Sequence, residues 1–477
     1  MPDPLAERDQ LAAAVELAAQ TAKAYLERLP IENVVLDGSE AAIEQWSDPM
    51  PEGGVGTLAA LSELADRARE SATRSNGPRF FHFVMGGATP AALAADWLAS
   101  TYDQVAYAWA SSPFAARLEQ VAVDWLRQLF ELPGEFGGVL TTGATMANFV
   151  ALAAARNWWA ERQGVNVEAD GLAKLAAPAI ISSGYLHPSA VQVIGMLGLG
   201  RANIRQLARD AVGRLDVGGL ARELRQARAP AIVIANAGEV NAGDFDPIGE
   251  VAELCERHDA WLHVDGAFGL FARIAPATRW LTEGVERADS IVADGHKWLN
   301  VPYDCGFAFV RELKRLPRTL NVGAAYLPSA EDPHPNFGFV SPENSRRARS
   351  LAVWATLRAH GRSGYQLMVE RHLALARHLA DLVDSAPELE RLANVQLNIV
   401  CFRAHPPDLS QNKLDQFNAQ LGEALRADGR VFVGTTTYAG NTALRPAIVN
   451  WQTQTGDIDV LVAVTRELIQ TLLAEER

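Results

Sequence analysis

The spacing of apolar residues predicts helices at the start of the chain and an alternation of helices and strands in its middle. Up to about Ser75 the apolar positions recur at helical intervals, as in Leu11, Val15 and Ala18. From Phe80 to about residue 360, helix-like stretches alternate with short β-prone apolar runs. This alternation is typical of an α/β fold with a mostly parallel sheet.

The same pattern predicts individual elements of that sheet. We expect helices over about 121–129 and 147–159, and strands over about 138–141, 178–182, 231–235, 261–264 and 290–293. The segment that starts at Asp246 combines a helix start signal with an apolar stripe. It is therefore expected to be the crossover helix between the strands that begin at Ala231 and Trp261.

The last hundred residues differ in character from the middle of the chain. Helices are expected around 365–382 and 412–425, and strands near 395–402 and 443–449. These elements indicate a small α+β domain. The predicted organisation is an N-terminal helical segment over 1–78, a large cofactor-binding α/β domain over 79–360 and a small C-terminal domain over 361–477.

Two of the predicted strands end in chemically reactive residues. The run Trp261-Leu-His-Val leads into Asp265, and Ser290-Ile-Val-Ala leads into a segment that contains Lys297. Polar groups just past such strands line the crevice where open α/β sheets bind ligands. Asp265 and Lys297 are therefore expected to face one ligand, although a simple buried ion pair would explain the same two residues.

Further residues point to the chemistry of that ligand. The turn Gly143-Ala144-Thr145 follows a strand and opens a helix, where free N–H groups and the helix dipole suit a phosphate; a plain helix cap is the alternative. His187 follows another strand and is placed to stack on a ring, although a lone histidine there is commonly structural. Together with Asp265, His296 and Lys297, these residues supply an amine, an acid and phosphate donors. That set is what a pyridoxal phosphate site requires.

Composition and charge narrow the class of protein. The chain has 477 residues, of which 48% are hydrophobic and 21% charged, and its net charge is −14. This charge argues against a nucleic-acid or anionic-membrane surface and favours a small-molecule substrate. Cys255, Cys305 and Cys401 are far apart in sequence, so neither a disulfide framework nor a zinc site is supported. The absence of a signal-like start or a long apolar run predicts a cytoplasmic protein.

Three blocks of sequence resemble a known family. They are His263-Val-Asp-Gly-Ala-Phe, the run from Ala293 to Cys305 that contains His-Lys-Trp, and Trp109-Ala-Ser-Ser-Pro. All three resemble the pyridoxal-dependent amino-acid decarboxylases of the aromatic-L-amino-acid and glutamate decarboxylase group, from about Phe80 to Trp354. The resemblance implies a fold-type I homodimer with its active site at the subunit interface and pyridoxal 5′-phosphate as cofactor.

The resemblance also assigns roles to residues. Lys297 would be the Schiff-base lysine and Asp265 the partner of the pyridine nitrogen. The other implied cofactor contacts are His187 stacked on the ring, Ala267 against the ring, and Ala144, Thr145 and His296 at the phosphate. Gly143 and Asp294 complete the cofactor-binding set, and Asp294 stands where relatives carry an asparagine or aspartate. Lys297 and His187 would act in catalysis, and Tyr107 matches an aromatic position of the substrate pocket.

One departure from the family leaves the product open. The family places a mobile tyrosine in the loop ahead of Arg346, and it is thought to protonate the intermediate after carbon dioxide leaves. Here that position falls on Phe337, which is expected in the substrate pocket with Tyr107 but cannot donate a proton. Either another donor, such as His187, His334 or Tyr326, replaces the tyrosine, or oxygen intercepts the intermediate and an aldehyde forms.

The leading hypothesis is a decarboxylase that converts an L-amino acid to its amine and carbon dioxide. Aromatic residues such as Tyr107 and Trp109, and the lack of a basic cluster near the expected mouth, favour an uncharged aromatic or bulky apolar side chain. Oxidative deamination on the same scaffold is the first alternative. A non-catalytic α/β binding protein, in which Asp265 and Lys297 merely pair, is the second.

Overall fold

The computed structural model describes residues 4–227, 229–320, 333–407 and 409–475. Its α-helices are α1 Leu11–Arg28, α2 Ser39–Glu44, α3 Thr57–Ser71, α4 Pro90–Tyr102, α5 Pro113–Leu129, α6 Ala144–Glu161, α7 Val167–Asp170, α8 Pro188–Met196, α9 Val217–Gln226, α10 Ile248–Arg257, α11 Arg315–Leu320, α12 Ser350–Ser385, α13 Leu414–Asp428 and α14 Thr455–Glu475. Its strands are β1 Gly137–Thr141, β2 Ala179–Ser182, β3 Ile204–Gln206, β4 Ala231–Asn236, β5 Trp261–Asp265, β6 Ser290–Asp294, β7 Gly306–Val310, β8 Leu389–Arg391, β9 Phe402–Ala404, β10 Thr435–Tyr438 and β11 Asn441–Leu444.

Seven of these strands form the central sheet, in the order β1-β7-β6-β5-β4-β2-β3. The strands from β3 across to β6 pair in parallel, and β7 runs antiparallel to both β6 and β1. The predicted α/β fold with a mostly parallel sheet is thus confirmed. Because β7 alone is reversed, the carboxyl ends of β1, β2, β4, β5 and β6 all meet at one edge of the sheet.

Both faces of this sheet are buried, which explains why its strands are continuous apolar runs. Along β4, Ile232 and Ile234 belong to the core that contains α6, whereas Val233 and Ala235 belong to the core that contains α10. α10 connects β4 to β5, as predicted for the crossover helix. Helices on both sides therefore hold the carboxyl edge of the sheet in a fixed place.

The antiparallel strand β7 was not predicted. Its sequence, Gly-Phe-Ala-Phe-Val, is a buried apolar run like the others. It begins soon after β6 ends, with no helix between them in the chain, and a parallel partner needs a crossover of a dozen or more residues. The short connection therefore dictates an antiparallel pairing, which follows from spacing once the strand is recognised.

A second, four-stranded sheet with the order β10-β11-β9-β8 forms near the C-terminus. It shares an apolar core with α13, α14 and the last part of α12. α12 is interrupted at Gly361, whose φ of 61° and ψ of −175° are non-helical. The proposed boundary between the large and small domains, at 360/361, coincides with this break, but the three-domain division itself stays a prediction.

The C-terminal strands are shorter than predicted. The strand expected over 395–402 begins only at Phe402, and a single isolated bridge joins Ile399 to Ala447 before it. The strand expected over 443–449 ends at Leu444. Pro446 interrupts it because proline has no N–H to donate to a ladder.

The N-terminal segment is helical, and it packs loosely on the rest of the described chain. α1 has no buried residue, and Leu11 and Val15 on it are 71% and 59% exposed. In α3 only Ser71 is buried. Within the described ranges, no helix is both long and apolar enough to cross a bilayer.

Candidate active site

A cavity of about 410 Å³ opens at the carboxyl edge of the central sheet. The structure brings nine of the sequence-predicted residues to its wall: Gly143, Ala144, Thr145, His187, Asp265, Ala267, Asp294, His296 and Lys297. A groove of about 830 Å³ lies elsewhere, but its wall carries charged side chains that already pair, such as Arg214 and Asp244 at 3.5 Å. Convergence of reactive groups therefore identifies the site better than size does.

Three nitrogen donors converge on Asp294 at one end of the cavity. The Lys297 Nζ atom lies 3.0 Å from Asp294 Oδ2. The Ala144 N–H donates to Oδ1 over 2.5 Å, and His296 Nε2 lies 3.5 Å from the same oxygen. The three donors therefore form an anion-binding site at this end of the cavity, and the carboxylate of Asp294 accepts from them.

The turn that carries Ala144 is shaped for a close approach. β1 ends at Thr141, and α6 begins at Ala144 with first-turn N–H groups that have no partner inside the helix. β7 passes so near this turn that a Cβ atom on Gly306 would lie 2.5 Å from the Gly143 Cα atom. Glycine at 306 thus lets β7 support the turn, and the dipole of the 18-residue helix favours an anion there.

Asp265 lies at the end of β5, on the wall that α6 covers. It is 6% exposed, and its Oδ1 accepts the Ala267 N–H over 3.2 Å. Its Oδ2 accepts a hydrogen bond of 3.1 Å from Asn148 Nδ2. Each carboxylate oxygen thus accepts one hydrogen bond from the protein, and the carboxylate can accept a further hydrogen bond from a donor in the cavity.

His187 is influenced by the opposite charges of Asp265 and Lys297. It precedes α8 as its N-cap, and its Nδ1 accepts the Ser189 N–H over 3.2 Å. Burial against the protein lowers the pKa of His187; the charge of Asp265 raises it, and that of Lys297 lowers it. The ring surface that remains exposed faces the open cavity. At neutral pH the imidazole is therefore uncharged, with its proton on Nε2 because Nδ1 is an acceptor.

Two predicted residues lie outside this wall. Tyr107 packs against the chain at Gly338, whose N–H donates to the Tyr107 carbonyl over 2.9 Å. Phe337 is 7% exposed and belongs to the apolar core around α6, with the Arg346 guanidinium 5.7 Å from its ring centre. Their assignment to the substrate pocket stays a prediction. Tyr326, the alternative proton donor, lies outside the described residues.

His334 and Asn336, two described residues of the loop ahead of Arg346, lie against the segment around Trp109. The His334 ring stacks on the Trp109 indole with centroids 4.4 Å apart, and Asn336 Oδ1 accepts the Trp109 N–H over 3.1 Å. Neither His334 nor Trp109 lines the cavity of its own chain.

Sequence reasoning missed several residues of the site. Phe83 and Tyr303 are aromatic side chains on the wall, 59% and 56% exposed, and Tyr303 stacks on His296 at 4.2 Å. Arg445 lies half-buried behind the wall and donates to the Val240 carbonyl over 3.1 Å. Asn148 alone had a signal: it is four residues after Ala144, so both lie on the same face of α6.

Comparison with known proteins gives a consistent picture. A family model described as the pyridoxal-dependent decarboxylase conserved domain matches residues 57–405. The aromatic-L-amino-acid decarboxylase of Bacillus atrophaeus is 28% identical over 442 residues, which cover 91% of this chain and 89% of that protein. Tryptophan decarboxylase 1 of Oryza sativa subsp. japonica is 31% identical over 416 residues, with 81% and 79% covered.

A solved structure is similar over the whole length. The crystal structure of Oryza sativa TDC with PLP and tryptamine matches with a TM-score of 0.89 and 26% identity, and the match covers 99% of this chain and 100% of that one.

Proposed function

This chain belongs to the pyridoxal-dependent decarboxylase family, and from that premise we propose that Lys297 and Asp265 hold the cofactor at opposite ends of the cavity and that the substrate is an aromatic L-amino acid. The enzyme is a carboxy-lyase that uses pyridoxal 5′-phosphate. One observation carries the residue assignment: the amine, the carboxylate and the phosphate-type turn line a single cavity of about 410 Å³.

The residues present fit this cofactor. When bound, pyridoxal phosphate withdraws electrons from the substrate α-carbon, which allows the bond to the carboxylate to break. The turn at Gly143 and Ala144, with its backbone N–H groups, would hold the phosphate. An ionised Asp294 only accepts hydrogen bonds, so it is suited to bind the Lys297 ammonium and not a phosphate.

Lys297 would supply the amine for the aldehyde of a bound cofactor, and Asp265 would hold its pyridine nitrogen in the protonated form. His187 is uncharged and already gives its Nδ1 to Ser189, so its Nε2–H is the donor available to the substrate carboxylate. A neutral imidazole at His187 would also shield one face of a bound cofactor ring from water without adding a charge.

The test of this assignment is replacement of Lys297 by alanine in the full-length enzyme reconstituted with pyridoxal phosphate. We expect loss of the visible absorbance band and a fall in amine production of at least about a thousandfold. Lys174→Ala is the matched control, since that lysine lies on the surface with its side chain 73% exposed. Undiminished turnover in Lys297→Ala would end the proposal.

An aromatic substrate is supported by the wall as well as by the relatives named above. Lys297 is the one lysine among the described lining residues, and no arginine lines the cavity there. Phe83 and Met146 add apolar surface, so the described wall offers a negatively charged substrate side chain no cation beyond the lysine assigned to the cofactor. A product screen over the proteinogenic amino acids should show amine from tryptophan, tyrosine or phenylalanine; exclusive turnover of glutamate or aspartate would contradict this substrate class.

Aldehyde formation by oxidative deamination is kept as a second candidate, on the observation that Phe337 stands where the family has a tyrosine. Oxygen consumption separates the two outcomes. Amine and carbon dioxide in equal amounts, with no oxygen uptake, rule the second candidate out; oxygen uptake that equals aldehyde production establishes it.

We further propose a homodimer with the active site at the subunit interface. The apolar side chains of Leu11 and Val15 on α1, and of Trp97 and Leu98 on α4, are exposed in the single chain, and a second copy would cover such faces. Sedimentation of the active enzyme should give a dimer. A fully active monomer would contradict this assembly.

A cytoplasmic location is proposed on the state of the cysteines. Cys255, Cys305 and Cys401 are free and buried, as is usual where thiols stay reduced. Cell fractionation checks the location, and recovery of the enzyme from an extracellular or membrane fraction would refute it.

A further inference from the structure

A chain of buried side chains continues behind Asp265, away from the cavity. Asn148 donates to Asp265 Oδ2, and the Asn148 Oδ1 atom lies 2.7 Å from His263 Nε2. His263 Nδ1 lies 2.9 Å from Ser290 Oγ, and the Trp261 indole N–H donates to the same hydroxyl over 2.9 Å. Asn148, His263 and Ser290 are fully buried, and Trp261 is 3% exposed.

The direction of every hydrogen bond in this chain is fixed by the chemistry of its two ends. A carboxylate only accepts, so Asn148 must turn its NH₂ toward Asp265 and its carbonyl toward His263. His263 therefore carries its proton on Nε2. At the other end, an indole N–H only donates, so the Ser290 hydroxyl accepts it and gives its own proton to His263 Nδ1.

The chain is neutral until it reaches the carboxylate. Burial lowers the pKa of His263 to about 4, so the imidazole is uncharged under working conditions. Each N–H and O–H then points toward Asp265, and bonds that are aligned in this way strengthen one another in a low-dielectric interior. The carboxylate thus gains a fixed orientation without a second charge nearby to compete for it.

We propose that Asn148, His263, Ser290 and Trp261 form a positioning relay that holds the Asp265 carboxylate oriented toward the pyridine nitrogen of the cofactor. This inference rests on the function proposed above, because it assumes that Asp265 meets that nitrogen. The four residues are positioning residues, and none of them lines the cavity in the described chain. A residue that only packs the core would leave the protonation of the pyridine unchanged when it is replaced.

The test uses the full-length enzyme reconstituted with pyridoxal phosphate that carries ¹⁵N in its ring. The ¹⁵N chemical shift reports directly whether the pyridine nitrogen is protonated, and titration gives the cofactor dissociation constant. Asn148→Ala removes the donor to Asp265, and we expect at least about tenfold weaker cofactor binding with a shift toward the unprotonated value. Ser290→Ala leaves Asn148 in place and should move both readouts in the same direction by a smaller amount.

The matched control is Ser182→Ala. Ser182 is 1% exposed in β2 of the same sheet, and its hydroxyl donates to the Ile234 carbonyl over 2.8 Å rather than to the relay. The Ser182→Ala variant should lose about as much free energy of unfolding as the relay variants do, but it should keep the wild-type ¹⁵N shift. Should Asn148→Ala fail to fold, Ser290→Ala still carries the test.

Two results would overturn the relay, and they differ in what else they remove. If the wild type shows a protonated pyridine and both relay variants match the Ser182→Ala control in shift and affinity, the relay is wrong and the proposed function stands. If the wild type binds no pyridoxal phosphate, or binds it with an unprotonated ring, the assignment of Asp265 falls and the relay falls with it.

Discussion

Two buried polar clusters flank the active-site region, and they are held in opposite ways. Behind Asp265, four neutral side chains satisfy one another in a single direction. Under the segment that leads into α12, Arg346 and Glu119 form an ion pair with both side chains fully buried. Arg346 donates from Nη2 to Glu119, but its Nε and Nη1 have no partner among the described residues.

The difference fits a separate role for each cluster, one in positioning and one in anchoring. A neutral network whose hydrogen bonds are all made introduces no additional charge, but it fixes the orientation of one carboxylate. Such a network suits a group that binds a cofactor. A buried ion pair pays a desolvation cost, and its loss leaves an unpaired charge, which suits an anchor between elements. Glu119 lies on α5 and also accepts the Leu140 N–H of β1, so the pair ties helix, strand and segment together.

The largest effect is expected where the neutral cluster meets the cofactor. Asp265→Asn should lower kcat about a thousandfold, or about 4 kcal/mol, because the amide cannot hold the pyridine nitrogen protonated. Folding should be nearly unaffected, since a neutral group replaces a buried charge. Kinetics with saturating cofactor and thermal melting measure the two quantities; a large loss of stability with little loss of kcat would reverse the roles of the two clusters.

The ion pair should show the opposite behaviour. Glu119→Gln leaves the Arg346 charge buried without a counterion, and we expect a loss of about 3 to 4 kcal/mol in the free energy of unfolding. Cofactor affinity at a temperature where the variant is folded should stay close to wild type. The control is Asp96→Asn, which removes the partially exposed pair with Arg347 at 2.9 Å and should cost under about 1 kcal/mol. Equal losses in both variants would refute the anchoring role.

Asp246 sharpens the comparison because it combines features of both clusters. It accepts hydrogen bonds from Ser183 and from the backbone and side chain of Asn236, yet its Oδ1 has no partner in the described chain. Burial raises the pKa of Asp246 to about 6. The Asp246 carboxyl therefore binds its proton more tightly in the native state than in the unfolded chain. For this reason the free energy of unfolding falls as pH rises from about 4 to 6.

Asp246→Asn should remove that part of the pH dependence. The free energy of unfolding of the wild type, minus that of the variant, should be up to about 3 kcal/mol lower above pH 6 than at pH 4. Urea unfolding of both proteins between pH 4 and 8 gives this difference directly. A difference that does not change with pH would show that Asp246 ionises as an ordinary carboxyl.

The smallest effect is expected at the open mouth of the cavity. Phe83→Leu should raise KM for an aromatic substrate severalfold, about 1 kcal/mol, because a flat ring contact is lost, while cofactor affinity stays constant. Trp280→Leu, at a 65% exposed position away from this cavity, serves as control. An unchanged KM in Phe83→Leu would remove this residue from the substrate pocket.

The parts of the site that could be predicted are those that strand order alone brings together. Asp265 and Lys297 follow neighbouring parallel strands, so their meeting at one edge follows from topology. The partners of Asp265 could not be predicted in this way, because Asn148 is contributed by α6 and Ser290 by the far end of β6. Such contacts depend on how helices pack on the sheet. Near the C-terminus, local features such as Pro446 overrode the apolar pattern and shortened the strands.

The central claim is that the cofactor bonds to Lys297 at one end of this cavity. Reconstitution with pyridoxal phosphate, reduction with borohydride and peptide mapping by mass spectrometry test it most directly. We expect one reduced phosphopyridoxyl group per chain, on Lys297. A label on another lysine, such as Lys174 or Lys314, or no label in an active preparation, would contradict it.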